Sequence, residues 1–323
     1  MVVMLVCFSV GWLLNAPGIR KTAHGQAVGV RRDVATFVAD AVADVSHTLF
    51  LDRPRALLQD AIGRHGDDDL ILSLPSPTTV PPSAPSTTTT TKPAFTPARP
   101  LRVWIAGDSL SLVPGQSLVN KAPDTRVIDP IGGTVDMHVA TGLARPEVFN
   151  WAVHLQAVMA EDDPDAVVLT LGSNDDQVLT GGGGVGPLGS DAWKAEYARR
   201  VGGIMDLVTG DGHRKLFWLG IPTVDSQERN DVRYPMINDI LRDQAAQRPG
   251  RVVYVDLYSA FRGPDGGYSD TIGFVRVRAP DGIHFTREGG DIVADLVLRA
   301  FADAYDLTSW QTPATTTTQP QRA

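Results

Sequence analysis

From residue 101 to about residue 305, short and almost wholly apolar runs alternate with amphipathic ones. The runs LRVWIAG, AVVLTLG, KLFWLGI and RVVYVDL are rich in β-branched and aromatic residues. Because they do not alternate with polar positions, they predict strands covered on both faces. Between them, residues 110–120, 147–159, 193–208, 233–247 and 287–302 space apolar side chains at three- and four-residue steps and predict helices. Such strands alternating with helices predict a parallel sheet joined by right-handed crossovers, hence one α/β domain, a three-layer α/β/α sandwich with a mostly parallel sheet. Ligands of such sheets bind beyond the carboxyl ends of the strands.

The pattern ahead of this domain is different. Residues 1–14 (MVVMLVCFSVGWLL) are apolar and carry no charged side chain, a run shorter than the roughly 20 residues of a bilayer span. We expect residues 1–21 to be a membrane anchor or signal-anchor. The run is either the remainder of a longer membrane helix or an uncleaved anchor that borrows Asn15, Ala16 and Pro17; a buried core helix is the competing reading. Arg20 and Lys21 follow it, which by the positive-inside rule argues for a cytoplasmic C-terminal side. Residues 22–72 read as a short helical juxtamembrane segment. Val34, Val38, Val42, Val45 and Leu49 recur at helical steps over 33–50, and a second short helix is expected near Pro54, a residue suited to a first turn. Residues 73–100 are rich in Pro, Thr and Ser and almost devoid of large apolar side chains. They bury too little to fold and should form an extended tether. A tether between an apolar N-terminus and a globular domain (residues 101–306) suits attachment at the cell membrane with the domain extracytoplasmic, and we weigh it above the charge cue. Residues 307–323, with a second Thr run, read as a disordered tail.

Composition narrows the function. The 323 residues are 43% hydrophobic and 20% charged, which excludes a collagen-like or wholly disordered chain. A net charge of −8 without a Lys/Arg stripe argues against a nucleic-acid partner. Cys7 is the single cysteine, so no intramolecular disulfide or Cys-based zinc site is possible. We expect no metal and no organic cofactor. His138 and His154 lack ligand-spaced partners, and Asp162, Asp163, Asp175 and Asp176 lack EF-hand spacing and read as solvated turns. The glycine run at 181–184 reads as a loose surface loop, with a flexible lid bordering the site as the alternative. Trp151, Trp193 and Trp218 read as core, with sugar stacking by an exposed Trp193 as the alternative. Arg145 and Arg233 are candidate substrate contacts.

Three short blocks sit where chemistry is expected. Gly107–Asp108–Ser109–Leu110 follows the first strand. A serine there has free helix N–H groups beside it that can stabilise an oxyanion, although a helix N-cap is the ordinary role for it. Gly172–Ser173–Asn174–Asp175 follows a later strand and either donates the Asn174 amide into the same crevice or forms a plain turn. Asp281–Gly282–Ile283–His284 precedes the last helix. A carboxylate three residues before a histidine can hold one ring nitrogen and leave the other as a base; a solvated loop with Thr286 as N-cap is the plain alternative. Each block is weak alone, but their order and placement at strand ends are not.

Together these blocks resemble the SGNH, or GDSL, hydrolase family, over roughly residues 101–305, with the stretch ATGLARP at 140–146 resembling an actinobacterial-type branch. The resemblance implies a flavodoxin-like sandwich. It also implies Ser109 as nucleophile, His284 as base and Asp281 as its partner. Asn174, the Ser109 N–H and a glycine N–H would form the oxyanion hole. Gly142 is favoured for that glycine, with Gly133 as its rival. The expected activity is a serine esterase acting on an acylated envelope glycan, a lipid or a small ester. An acyltransferase using a sugar hydroxyl, and a non-catalytic envelope-binding module, are the alternatives.

Overall fold

The computed structural model describes residues 12–16, 19–20, 23, 30–48, 92–181 and 185–307. Other expectations lie outside the described residues: most of the apolar run at 1–14, the helix near Pro54, residues 73–91 of the linker, residues 182–184 of the glycine run, and the tail from residue 308. Residues 92–100, expected to be part of the extended tether, are instead packed on the domain: Phe95 is buried in the core, its N–H donates to the Asp306 carbonyl at 3.1 Å, and the Asp306 N–H donates to the Pro93 carbonyl at 2.8 Å, because Phe95 supplies an apolar side chain to bury. The chain divides into two compact units. One comprises residues 1–72, 144–147 and 177–196; the other comprises residues 73–143, 148–176 and 197–323.

In the first unit, α1 (Val30–Thr48) is the helix expected at 33–50. Ser46 Oγ donates to the Leu13 carbonyl at 2.6 Å, and Arg20 pairs with Asp40 at 2.9 Å. Ala39 and Ser46 are buried, whereas Val34, Phe37, Val38 and Val45 face out. Among the described residues, no helix is long and apolar enough to cross a membrane.

The second unit carries the sheet. Its elements run β1 (Leu101–Gly107), a 3-10 turn (Ser109–Ser111), α2 (Leu112–Thr125), β2 (Ile128–Pro130), β3 (Asp136–Met137), α3 (Trp151–Glu161) and β4 (Ala166–Thr170). There follow α4 (Asp191–Thr209), whose first residues belong to the other unit, β5 (Lys215–Leu219), a π-helical turn (Arg229–Arg233), α5 (Tyr234–Ala246), β6 (Val252–Val255) and α6 (Leu257–Ala260). A small hairpin of β7 (Thr271–Ile272) and β8 (Val275–Arg276) precedes α7 (Arg287–Ala304). The six-stranded sheet is ordered β2-β1-β4-β5-β6, with β3 also on β1, and every pairing in it is parallel.

Strand periodicity sorts the core. Val103, Ile105, Val168, Phe217 and Leu219 point to the face where Leu118 of α2 and Val293, Val297 and Phe301 of α7 are buried. Trp104, Val167, Leu169 and Trp218 point the other way and are also buried, as are Trp151 and Leu155 of α3 and Ile237 and Leu241 of α5. This is the three-layer α/β/α sandwich that the apolar runs predict. The chain leaves β1 for β2 on one side and returns to β4 on the other, so the order reverses between β1 and β4. A crevice opens at such a point, beyond the carboxyl ends of the two strands.

Candidate active site

Ser109 stands where β1 meets that crevice. At Gly107 a Cβ would lie 2.2 Å from the Thr170 carbonyl oxygen of β4, so the strand end closes tightly only with glycine there. Asp108, not Ser109, caps the turn: its Oδ1 accepts from the Leu110 N–H at 2.9 Å. Ser109 is thereby free of the N-cap role and is the first residue of the turn. Its N–H is one that no carbonyl of that turn can reach.

The Asp281 block closes on it from the other end of the sequence. His284 Nε2 lies 2.9 Å from Ser109 Oγ, and His284 Nδ1 lies 2.7 Å from Asp281 Oδ2. Asp281 Oδ1 accepts the backbone N–H groups of Ile283 and His284 at 2.9 and 3.0 Å. The hydrogen bond from His284, with the Ile283 N–H, holds the Asp281 carboxyl down to about 2. Gly282 permits the turn: its φ is +69°, and a Cβ would fall 2.4 Å from the Asp225 Cβ. Thr286 accepts from the Gly289 N–H at 3.1 Å and caps α7, so the expected N-cap and the Asp281–His284 contact occur together in this loop. Both His284 and Asp281 remain open to solvent, at 39% and 48% side-chain exposure.

Asn174 follows β4 on the other side of the crevice. Its Nδ2 donates to the Thr141 carbonyl at 3.0 Å and to Asp108 Oδ2 at 3.2 Å. Asp108 Oδ2 also accepts the Ser173 hydroxyl at 2.7 Å. Burial pushes the Asp108 carboxyl up to about 7, against the lowering effect of the Ser173 hydroxyl and the Leu110 N–H. Gly142 is packed against the same block, since a Cβ there would meet Asp175 Oδ1 at 2.1 Å. Gly133 has nothing within 4 Å of its Cβ position and sits in the exposed turn after β2. The Asn174 block is therefore flanked by Gly142.

Several side chains depart from their expected places. Asp175 and Asp176 are buried rather than solvated: Tyr197 donates to Asp175 at 2.8 Å, and Asp176 pairs with Arg229 and Arg233 at 2.9 and 3.2 Å. Arg233 is thus committed to Asp176 and Glu228, and Arg145 to Glu147. Trp151, Trp193 and Trp218 are all buried, which overturns sugar stacking by Trp193. His138 and His154 do have a common partner, Asp136. A groove of about 550 Å³ beside Lys92, Tyr254 and Arg299 includes none of the residues above.

Sequence reasoning missed Asp108 and Arg278. Arg278 is buried, donates to the Ile283 and Thr223 carbonyls at 3.2 and 2.8 Å, and lies over the Phe285 ring at 4.3 Å. It braces the loop that carries His284. The signal for Asp108 was its neighbour Ser109; nothing local marks Arg278.

The three blocks that carry the SGNH resemblance thus meet at one crevice. A family model described as "Protein of unknown function (DUF459)" matches residues 102–300. No curated protein matches the chain. Among solved structures, it is similar to a lipase/acylhydrolase from Enterococcus faecalis, with 16% identity, a TM-score of 0.44, and coverage of 62% of this chain and 95% of that one. It is similar to a GDSL-like lipase from Bacteroides thetaiotaomicron at 14%, 0.40, 63% and 89%, and to a Clostridium thermocellum family 3 carbohydrate esterase at 14%, 0.43, 63% and 96%.

Proposed function

Because the chain belongs to the DUF459 family, over a match that includes Ser109, Asn174, Asp281 and His284, we propose that those residues make it a serine esterase. The observation that carries this reading is the unbroken hydrogen-bond chain Ser109–His284–Asp281. His284 Nε2 takes the Ser109 proton as Oγ attacks an ester carbonyl. Asp281 keeps the Nδ1–H tautomer and stabilises the imidazolium. The oxyanion is met by the Ser109 and Gly142 N–H groups and the Asn174 amide. His284 then protonates the departing alkoxide, leaving an acyl-serine. Water attacks the acyl carbon, gives its proton to His284, and releases the acid and a free hydroxyl on Ser109.

In the resting geometry the Asn174 Nδ2 hydrogens are held by Thr141 and Asp108. A developing oxyanion competes for one of them, and Asp108 keeps the amide aimed at the crevice until then. The open position of His284 gives water a path to it. The substrate class we infer is an acyl ester on an envelope glycan or lipid, with the enzyme tethered at the outer membrane surface by its N-terminal segment. The Pro/Thr/Ser-rich stretch at 73–91, ahead of the segment packed on the domain, supports that reading.

The test is hydrolysis of short-chain aryl esters by the full chain, compared with Ser109→Ala and His284→Ala, with and without added sugar. Release of free acid that both substitutions abolish is expected. Equal rates in all three proteins contradict the esterase reading, and acyl transfer to the sugar in preference to acid release identifies a transferase instead.

A further inference from the structure

Two imidazoles beside the crevice take no part in the chemistry above. Asp136 of β3 and His138 just after it alternate along the chain, which puts both side chains on one face. β3 lies against Ala106 and Gly107 of β1, and the His138 N–H donates to the Gly107 carbonyl at 2.9 Å. His154 comes from the first turns of α3. Their Nε2 atoms converge on a single carboxylate: His138 is 2.9 Å from Asp136 Oδ1, and His154 is 2.8 Å from Oδ2. One ligand atom from each of the three residues lies within 4.8 Å of the others, and all three side chains are half-buried.

The rings are held by packing as well as by the carboxylate. Phe149 stacks on His138 with centroids 3.7 Å apart, and the buried Trp151 stands edge-on to His138 at 5.4 Å and to His154 at 5.9 Å. Two rings preset toward one oxygen pair need little reorganisation to share an ion. A tetrahedral metal at about 2.0–2.1 Å from each ligand separates its ligand atoms by roughly 3.3 Å. The contacts of 2.8 and 2.9 Å would therefore open by about half an ångström. An ion on the two Nε2 lone pairs requires each neutral ring in its Nδ1–H tautomer, with the proton on the other nitrogen.

We propose that Asp136, His138 and His154 form a site for a divalent first-row transition ion, zinc by preference. Two imidazoles and one carboxylate are a borderline donor set that suits such ions over magnesium or calcium. Three protein ligands leave a further position for water or an oxygen ligand. The site also reaches the candidate oxyanion loop. The His138 carbonyl accepts the Thr141 hydroxyl at 2.7 Å, Trp151 Nε1 donates to that hydroxyl at 3.1 Å, and the Thr141 carbonyl holds Asn174. A bound ion would staple β3 to α3 around the loop that carries Gly142.

The experiment is titration of the metal-stripped full chain with cobalt(II), followed by its visible spectrum, and with zinc(II), followed by calorimetry and thermal unfolding. One equivalent per chain is expected, with four- or five-coordinate cobalt bands and a melting temperature that rises with zinc. His138→Ala and His154→Ala should each weaken binding by about 100-fold or more, given that even outer-shell changes cost about 10–100-fold. His213→Ala, which removes the exposed imidazole between Asp211 and Asp163, should leave it unchanged. If either alanine variant fails to fold, Asp136→Asn decides, because it keeps the side-chain volume and removes the anionic ligand. Absence of a saturable equivalent, or binding that survives these substitutions, overturns the proposal. None of the readouts uses ester hydrolysis, so its failure is distinct from failure of the esterase reading.

Discussion

Asp108 is the residue whose environment is most unusual. It is wholly buried, accepts three donors, and has a carboxyl raised from the ordinary 3.8 to about 7. The sign of the consequence follows from proton binding. Between about pH 4 and pH 7 the folded chain holds a proton at Asp108 that the unfolded chain has lost, so this group's contribution to stability falls as pH rises through that window and is flat above it. Asp108→Asn lacks that slope. Urea unfolding from pH 5 to pH 8 should therefore show the wild-type advantage over the variant shrinking up to about pH 7. Asn at 108 also turns an amide toward Asn174 in place of an acceptor, and ester turnover should drop with it. Asn174→Ala should lower kcat by about 10²–10³ with KM little changed, the usual cost of one oxyanion donor, checked by steady-state kinetics on an aryl ester. Asp281 is the opposite case. Its carboxyl is depressed, so its contribution is present above the ordinary 3.8 and is lost only as pH falls through about 2. Asp281→Asn should lower kcat by about 10²–10³, less than the roughly 10⁴ known for a buried triad acid because water reaches this one, as steady-state kinetics on an aryl ester would show.

At the scale of elements, the site depends on two short connections. One is the β1 end, where Gly107 meets the Thr170 carbonyl; the other is the loop from Arg278 to Thr286. Arg278→Leu would strip hydrogen bonds from the Ile283 and Thr223 carbonyls, each costing about 1–3 kcal/mol when left unpaired. We expect a lowered melting temperature and a lowered kcat. Arg278→Lys should not restore them, since one ammonium cannot reproduce a planar fork that serves two carbonyls and stacks on Phe285. The four long strands and six of the helices were legible because burial on both faces leaves unbroken apolar runs, and helices leave a 3.6-residue period. β2, β3 and the β7–β8 hairpin were not, being two or three residues long and set by pairing partners far along the chain. For the same reason the meeting of His138 and His154 at Asp136 was hidden. Side chains supplied by a two-residue strand, the residue just after it and the next helix leave no local spacing to read.

For the molecule as a whole, the sheet order does the positioning. Reversal between β1 and β4 brings the ends of those strands together, and the return of the chain into α7 carries residues 281–284 back to Ser109 across 175 positions. That convergence could be inferred from the sequence because parallel α/β sheets place their strand ends on one edge. The identity of the neighbours beside the crevice could not, because Asp175 and Asp176 look like surface residues until distant partners, Tyr197, Arg229 and Arg233, enclose them. The central claim is that Ser109 is a hydroxyl activated by His284. It is tested most directly by incubating the full chain with a fluorophosphonate and mapping the adduct by peptide mass. The account predicts one adduct, on Ser109, lost in Ser109→Ala and formed far more slowly in His284→Ala. A folded wild-type chain that takes no label, or that takes it on another residue, would contradict it.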